Sequence, residues 1–199
     1  MSTATSLLRP GLLRASSVLV AGALEPAASL GNAVGEACTE LGAGVHMCAA
    51  PDVADEAIVN QMVAAAVTEL GSLDLLVVDG AGLFAQGGLR TCLDAAWNVT
   101  RAVVNHAFLL ASEPSSPSGR VIYLAPAPTD AQRHSGAARA GLENLGRTLS
   151  TEWARHGITV LTIAPGEETT AGEVAALCAY LASPAGAYFS GCLLDLRGP

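Results

Sequence analysis

The run Leu73-Asp74-Leu75-Leu76-Val77-Val78, bounded by Gly71 and by Asp79-Gly80-Ala81-Gly82, constrains the fold more than any other stretch of this chain. A short segment that is apolar at nearly every position and exits into glycine is a strand buried on both faces of a parallel sheet; a strand with one wet face would alternate. Parallel strands cannot be joined by a tight turn and need a crossover, usually a helix. The run therefore requires companions of its own kind with helices between them.

Those companions are present. Ser17 to Gly22 is a second apolar run ending in glycine, and Val45 to Ala49, Arg120 to Leu124, Ile158 to Ile163 and Cys192 to Leu196 complete the set. Helical periodicity fills the intervals. It appears over Ser29 to Leu41 and after Asp52 to Asp55, where Ile58, Val59, Met62, Val63, Ala66 and Leu70 form a stripe closed by Gly71. A long helix carries Leu93, Trp97, Thr100, Val104 and Phe108; another, Ala137 to Arg155, turns Leu142, Leu145, Leu149 and Trp153 inward; a last one spans Ala171 to Leu181. Asp79 to Gly82 is expected as a turn and Ser112 to Gly119 as a linker. The fold class is α/β: a Rossmann-like, doubly wound parallel sheet flanked by helices.

Length bounds this to a single domain over residues 1–199, with 1–16 as an N-terminal extension. A formal net charge of −8 and no cluster of basic residues argue against a nucleic-acid partner. No window approaches the roughly 18 consecutive apolar residues of a membrane span. The first 17 residues hold two arginines and no continuous apolar stretch, so no signal peptide and a cytoplasmic location are expected. Five cysteines without a C-x-x-C pair suit reduced core thiols better than disulfides, and no metal site is expected. The chain contains no lysine; all ten basic residues are arginine. Codon bias accounts for most such replacements on a surface.

Almost the whole chain resembles the short-chain dehydrogenase/reductase family. The resemblance is carried by Gly71 through Gly82, similar to the family's strand ending in Asn-Asn-Ala-Gly, by Ala137-Ala138-Arg139-Ala140-Gly141-Leu142, by Ile158-Thr159-Val160 with Ala164-Pro165-Gly166, and by Tyr180-Leu181-Ala182-Ser183-Pro184 with Phe189-Ser190-Gly191. Family members reduce a carbonyl with a nicotinamide hydride, using a Tyr as proton donor, a Lys four residues later and a Ser. A phenol with a pKa of about 10 needs an adjacent fixed cation to work near neutral pH. Here the lysine position is Arg139, the tyrosine position Ser135 and the serine position Pro126. None of the three groups is kept. Tyr123, Tyr180 and Tyr188 offer no Tyr-x-x-x-Lys arrangement, and His134 is the one neighbouring acid-base group. Arg139 is expected in a surface or interface ion pair, since its planar fork does not reproduce an ammonium.

The resemblance places a cofactor, if one binds, against Gly22, Ser29, Gly31, Asp52, Gly80, Ala81, Gly82, Pro165 and Gly166. The phosphate turn differs from the family's three-glycine pattern: Gly22 and Gly31 lie nine apart, and Glu25 would set a carboxylate near a diphosphate. After Val45 to Ala49 the chain passes straight to Pro51-Asp52-Val53, so about one helix-strand unit is missing, and the segment after Gly166 is too short for a substrate lid. No cofactor is expected; NAD or NADP is the alternative. Three functions are consistent with these residues. The first is a non-catalytic subunit forming a homo-oligomer, or a hetero-oligomer with an active homologous reductase, through the two long helices that pair in the family. The second is an NAD(P)-dependent oxidoreductase with an atypical site built on His134 or Ser135 with Arg139. The third is a nucleotide- or metabolite-binding module.

Overall fold

The structure is a computed structural model describing residues 5–23, 29–49, 53, 55–110, 119–129 and 133–197. Six parallel strands form one sheet: β1 (Ser17–Ala23), β2 (Gly44–Ala49), β3 (Leu75–Asp79), β4 (Gly119–Leu124), β5 (Ile158–Pro165) and β6 (Leu193–Leu196), in the order β2-β1-β3-β4-β5-β6. The helices between them are α1 (Leu30–Glu40), α2 (Glu56–Leu70), α3 (Gly80–Val103), α4 (Ser135–Glu152) and α5 (Ala171–Ala182). A doubly wound sheet of order 3-2-1-4-5-6 has a strand beyond the one that follows the first crossover. Here β2 is the edge. The helix-strand unit that would supply a strand outside β2 is missing, and the sheet still reaches six strands because four rather than three lie on the other side of β1.

Alternation along the strands sorts the core into two layers. Leu19, Leu76, Val121 and Val160 lie in register across four strands and pack with residues of α2, α3 and α4. The next row, Val20, Val77, Ile122 and Leu161, packs on the other face with α1 and α5. Burying both faces is what made these strands nearly continuously apolar. Part of the N-terminal extension joins the second layer: Leu13 is fully buried, and its amide donates to the carbonyl of Leu41.

Helix ends follow local chemistry. Ser29 caps α1 by accepting from the Asn32 amide, Asp55 caps α2, and Thr170 with Glu173 forms a reciprocal capping box on α5. Two expectations need correction. Gly80 to Gly82 form the first turn of α3 rather than a loop, because the Asp79 side chain accepts from the Gly82 amide and starts the helix directly at the strand end. The long helix thus begins earlier than its apolar spacing suggests, breaks at Gly88 and ends in a π turn over Val104–Phe108. Ile58, assigned to the apolar stripe of α2, is instead 46% exposed; Val59, Val63 and Ala66 supply the buried face. The expected linker at Ser112 to Gly119 lies, except for Gly119, outside the described residues. All five cysteines are free, four buried and Cys192 half-buried.

Candidate functional site

Arg139 sits one turn into α4, between the sheet-facing Ala138 and Leu142, and is buried to 7% exposure. Its guanidinium donates to the carbonyl oxygens of Pro165 (2.6 Å) and Ala164 (3.1 Å) and to Asp195 Oδ1 (2.6 Å). The expected surface or interface ion pair is therefore an internal one. The fork spans the carboxyl ends of β5 and β6, a geometry that a compact ammonium could not satisfy at three acceptors. Asp195 also accepts from Arg197, and these hydrogen bonds, with the Arg139 charge, hold its carboxyl well below the usual carboxylate range.

The other two replaced positions are equally engaged. Ser135 is 4% exposed, and its hydroxyl lies 3.4 Å from both the amide and the carbonyl of Thr129. Pro126 is buried just past β4 and carries no hydroxyl. His134 precedes α4 with a left-handed backbone (φ 73°), is exposed, and makes no capping bond with its side chain. The tyrosines are elsewhere. Tyr123 is fully buried with its hydroxyl 3.0 Å from Thr100 Oγ1, burial pushing its phenol pKa up, while Tyr188 is 96% exposed. No described tyrosine pairs with a cation in the way that carbonyl reduction requires.

The amide end of α1 is built from the remaining candidates. Gly22 has φ 89°, and a Cβ there would lie 2.8 Å from Leu83 Cγ, so glycine is required by the approach of α3. Gly31 presents its amide to Asp79 Oδ2 at 2.8 Å, and the Gly82 amide reaches Asp79 Oδ1 at 2.9 Å. Ser29 and Ala81 add a hydroxyl and an amide to the same carboxylate. Asp79 is 0% exposed; burial pushes its pKa up, and the four hydrogen bonds oppose that rise. The Asn32 amide is taken by the Ser29 hydroxyl. Gly80 lies under Leu142.

At the ends of β5 and β6, the Gly166 amide donates to Thr169 Oγ1, whose hydroxyl donates to Leu196 O, while the Pro165 carbonyl is held by Arg139. Asp52 and Glu25 lie outside the described residues. The structure thus draws Gly22, Ser29, Gly31 and Gly80 to Gly82 together at one strand end, and Ser135, Arg139, Pro165 and Gly166 near its neighbours. These groups do not match a dinucleotide, since amides and carbonyls that would face it are bonded within the chain. Asp79 and Asp195 are the two residues sequence reasoning missed. A carboxylate inside each of two apolar strands was the available signal.

No helix among the described residues is long and apolar enough to cross a membrane, and no group of three or more His, Cys, Asp or Glu among them could hold a metal ion.

A parallel sheet with helices on both faces and its candidate groups at the strands' carboxyl ends defines a Rossmann-like, doubly wound α/β domain. Comparison with known proteins fixes the family: the short chain dehydrogenase profile matches residues 15–176, and the chain belongs to that family. It is 31% identical to (2S)-[(R)-hydroxy(phenyl)methyl]succinyl-CoA dehydrogenase subunit BbsD of Thauera aromatica, over 59% of this chain and 51% of that protein. The match thus spans about half of that relative's length. Identity with granaticin polyketide synthase putative ketoacyl reductase 1 of Streptomyces violaceoruber is 28%, over 83% of this chain and 72% of the relative. Among solved structures, the citronellol catabolism dehydrogenase AtuB of Pseudomonas aeruginosa superposes with a TM-score of 0.74 at 24% identity, covering 96% of each chain. The Pseudomonas aeruginosa RhlG/NADP complex gives 0.75 at 19% identity, covering 96% of this chain and 98% of that one. Likeness at these identities establishes the fold.

Proposed function

We propose that this chain is a non-catalytic member of the short-chain dehydrogenase family, a subunit that assembles with itself or with an active homologous reductase. The observation that carries this reading is Arg139: at the position of the family's catalytic lysine, its guanidinium is spent on Ala164, Pro165 and Asp195. Its neighbour at the tyrosine position, Ser135, bonds only to the Thr129 backbone among the contacts described. A proton donor and the cation that would tune it are both replaced, and the replacements hold the fold together.

Association is supported by what α3 and α4 leave uncovered. Trp97 on α3 is 39% exposed, and Leu89 and Leu93 of the same helix and Leu145 of α4 are only partly buried. A large aromatic at the edge of an apolar patch is characteristic of interface anchors. The relative BbsD is itself named as a dehydrogenase subunit. Light scattering after size exclusion, on the chain alone and co-expressed with an active short-chain reductase, tests the reading. Strictly monomeric behaviour in both preparations overturns it. The second reading, an oxidoreductase with an atypical site, draws on the NADP-bound relative but has to recruit the exposed His134, since Arg139 is engaged.

A further inference from the structure

We infer that Asp79 closes this domain to dinucleotides: its carboxylate sits at the amide end of α1, as an internal anion where the fold would otherwise seat a diphosphate. The inference rests on the non-catalytic reading above and supplies its cause at one residue. Strand order locates the crevice. From β1 the first crossover leads outward to β2, whereas β3 lies on the opposite side of β1. The gap between the carboxyl ends of β1 and β3 is therefore the point where the winding reverses, and open α/β sheets take their ligands there, with phosphate at the first helix's N-terminus.

Asp79 is the last residue of β3, at that gap. Its Oδ2 holds the Gly31 amide of α1 at 2.8 Å, and its Oδ1 holds the Gly82 amide of α3 at 2.9 Å. The Ser29 hydroxyl and Ala81 amide also donate to it. These donors favour the ionised carboxylate and oppose the burial that raises its pKa. The Asn32 amide is satisfied by Ser29. Among the described residues, a diphosphate brought to this end of α1 would meet a carboxylate that already holds the Gly31 amide, and repulsion in a partly buried site is screened far less than in water. Gly31 leaves no slack for rearrangement, because a Cβ there would already lie 2.8 Å from Asp79 Oδ2. The motif this strand resembles has asparagine at the position of Asp79. Asparagine has the same shape without the charge, so the closure comes from charge rather than bulk.

Calorimetric titration of the full chain with inorganic pyrophosphate and with NADH, on wild type and Asp79→Asn, tests the inference, with circular dichroism confirming that both are folded. Asp79→Asn is expected to bind both probes at least tenfold more tightly than wild type. In amide NMR, Gly31 and Gly82 signals should shift with pyrophosphate in the variant and stay fixed in wild type. Should Asp79→Asn fail to fold, Asp79→Ser, smaller and neutral, carries the same expectation. Equal affinities of wild type and folded variant within twofold, or no binding by either, overturn the assignment to Asp79 and leave the non-catalytic reading standing. Tight NADH binding by wild type overturns the inference, and oxidation of the bound NADH by an added carbonyl compound overturns the non-catalytic reading as well.

Discussion

The guanidinium of Arg139 and the carboxylate of Asp195 meet at 2.6 Å across 56 residues of sequence, tying α4 to the edge strand β6. Pro165 and Ala164 share the same guanidinium, so one side chain joins α4, β5 and β6 where a catalytic lysine would have faced a cofactor. Removing Arg139 takes a donor from the carbonyls of Ala164 and Pro165, at a cost of about 1–3 kcal/mol, while Asp195 keeps Arg197. Arg139→Ala should lower unfolding free energy by that order in urea titration. Arg139→Lys should recover only part of the loss, because one ammonium nitrogen replaces the two guanidinium nitrogens that reach these acceptors. Full recovery by lysine would show that the fork geometry is unimportant.

Stability should respond to pH through two carboxylates of opposite sign. Asp195 is held below its ordinary value chiefly by Arg197, so its contribution is present above the unfolded pKa of about 3.9 and lost as pH falls through the folded value. Asp79 is raised by burial. Its contribution is fully present below the unfolded pKa and is lost as pH rises through the folded one. Thermal melts of Asp195→Asn should show a flatter decline on the acid side than wild type. A curve with the wild-type acid slope would contradict the assignment.

Two glycine substitutions separate close approach from helix propensity. Gly31→Ala places a methyl group 2.8 Å from Asp79 Oδ2 and 3.2 Å from Ala23 Cβ, and should cost about 1–3 kcal/mol through overpacking. A Cβ at Gly136 in α4 meets nothing within 4 Å, and Gly136→Ala should stabilise by about 0.5 kcal/mol. Paired urea titrations read both signs.

Thiol chemistry should be confined to one residue. Burial pushes Cys38 and Cys92 up to about 12 and Cys178 well above its ordinary range, whereas Cys192 is half-buried and its thiol is raised as well. The thiolate is the reactive form. An Ellman assay of the native chain should therefore count one accessible thiol, Cys192, and five after unfolding. Two or more fast thiols in the native state would show that at least one of the buried cysteine sites opens.

The central strands were legible because burial on both faces leaves few polar positions, and the helices because apolar periods run through them and Gly71 closes α2. The start of α3 was not legible. Asp79-Gly80-Ala81-Gly82 has turn composition, and only the Asp79 side chain folding back on Gly82 turns it into a helix. At the candidate site, the resemblance located the replaced groups at Pro126, Ser135 and Arg139, but the surface or interface ion pair expected of Arg139 is an internal one. Its partner Asp195 lies on the last strand, beyond any local pattern. A long-range ion pair leaves no periodic trace in either segment.

The account stands or falls on whether the wild-type chain holds a nicotinamide dinucleotide. Fluorescence titration of the purified chain with NADH and NADPH measures this directly. No saturable change up to millimolar concentration is the predicted result, with Arg139 held by Asp195 and the α1 amides held by Asp79 and Ser29. Saturable binding in the micromolar range, followed by oxidation of the bound dinucleotide on addition of a carbonyl compound, would contradict it.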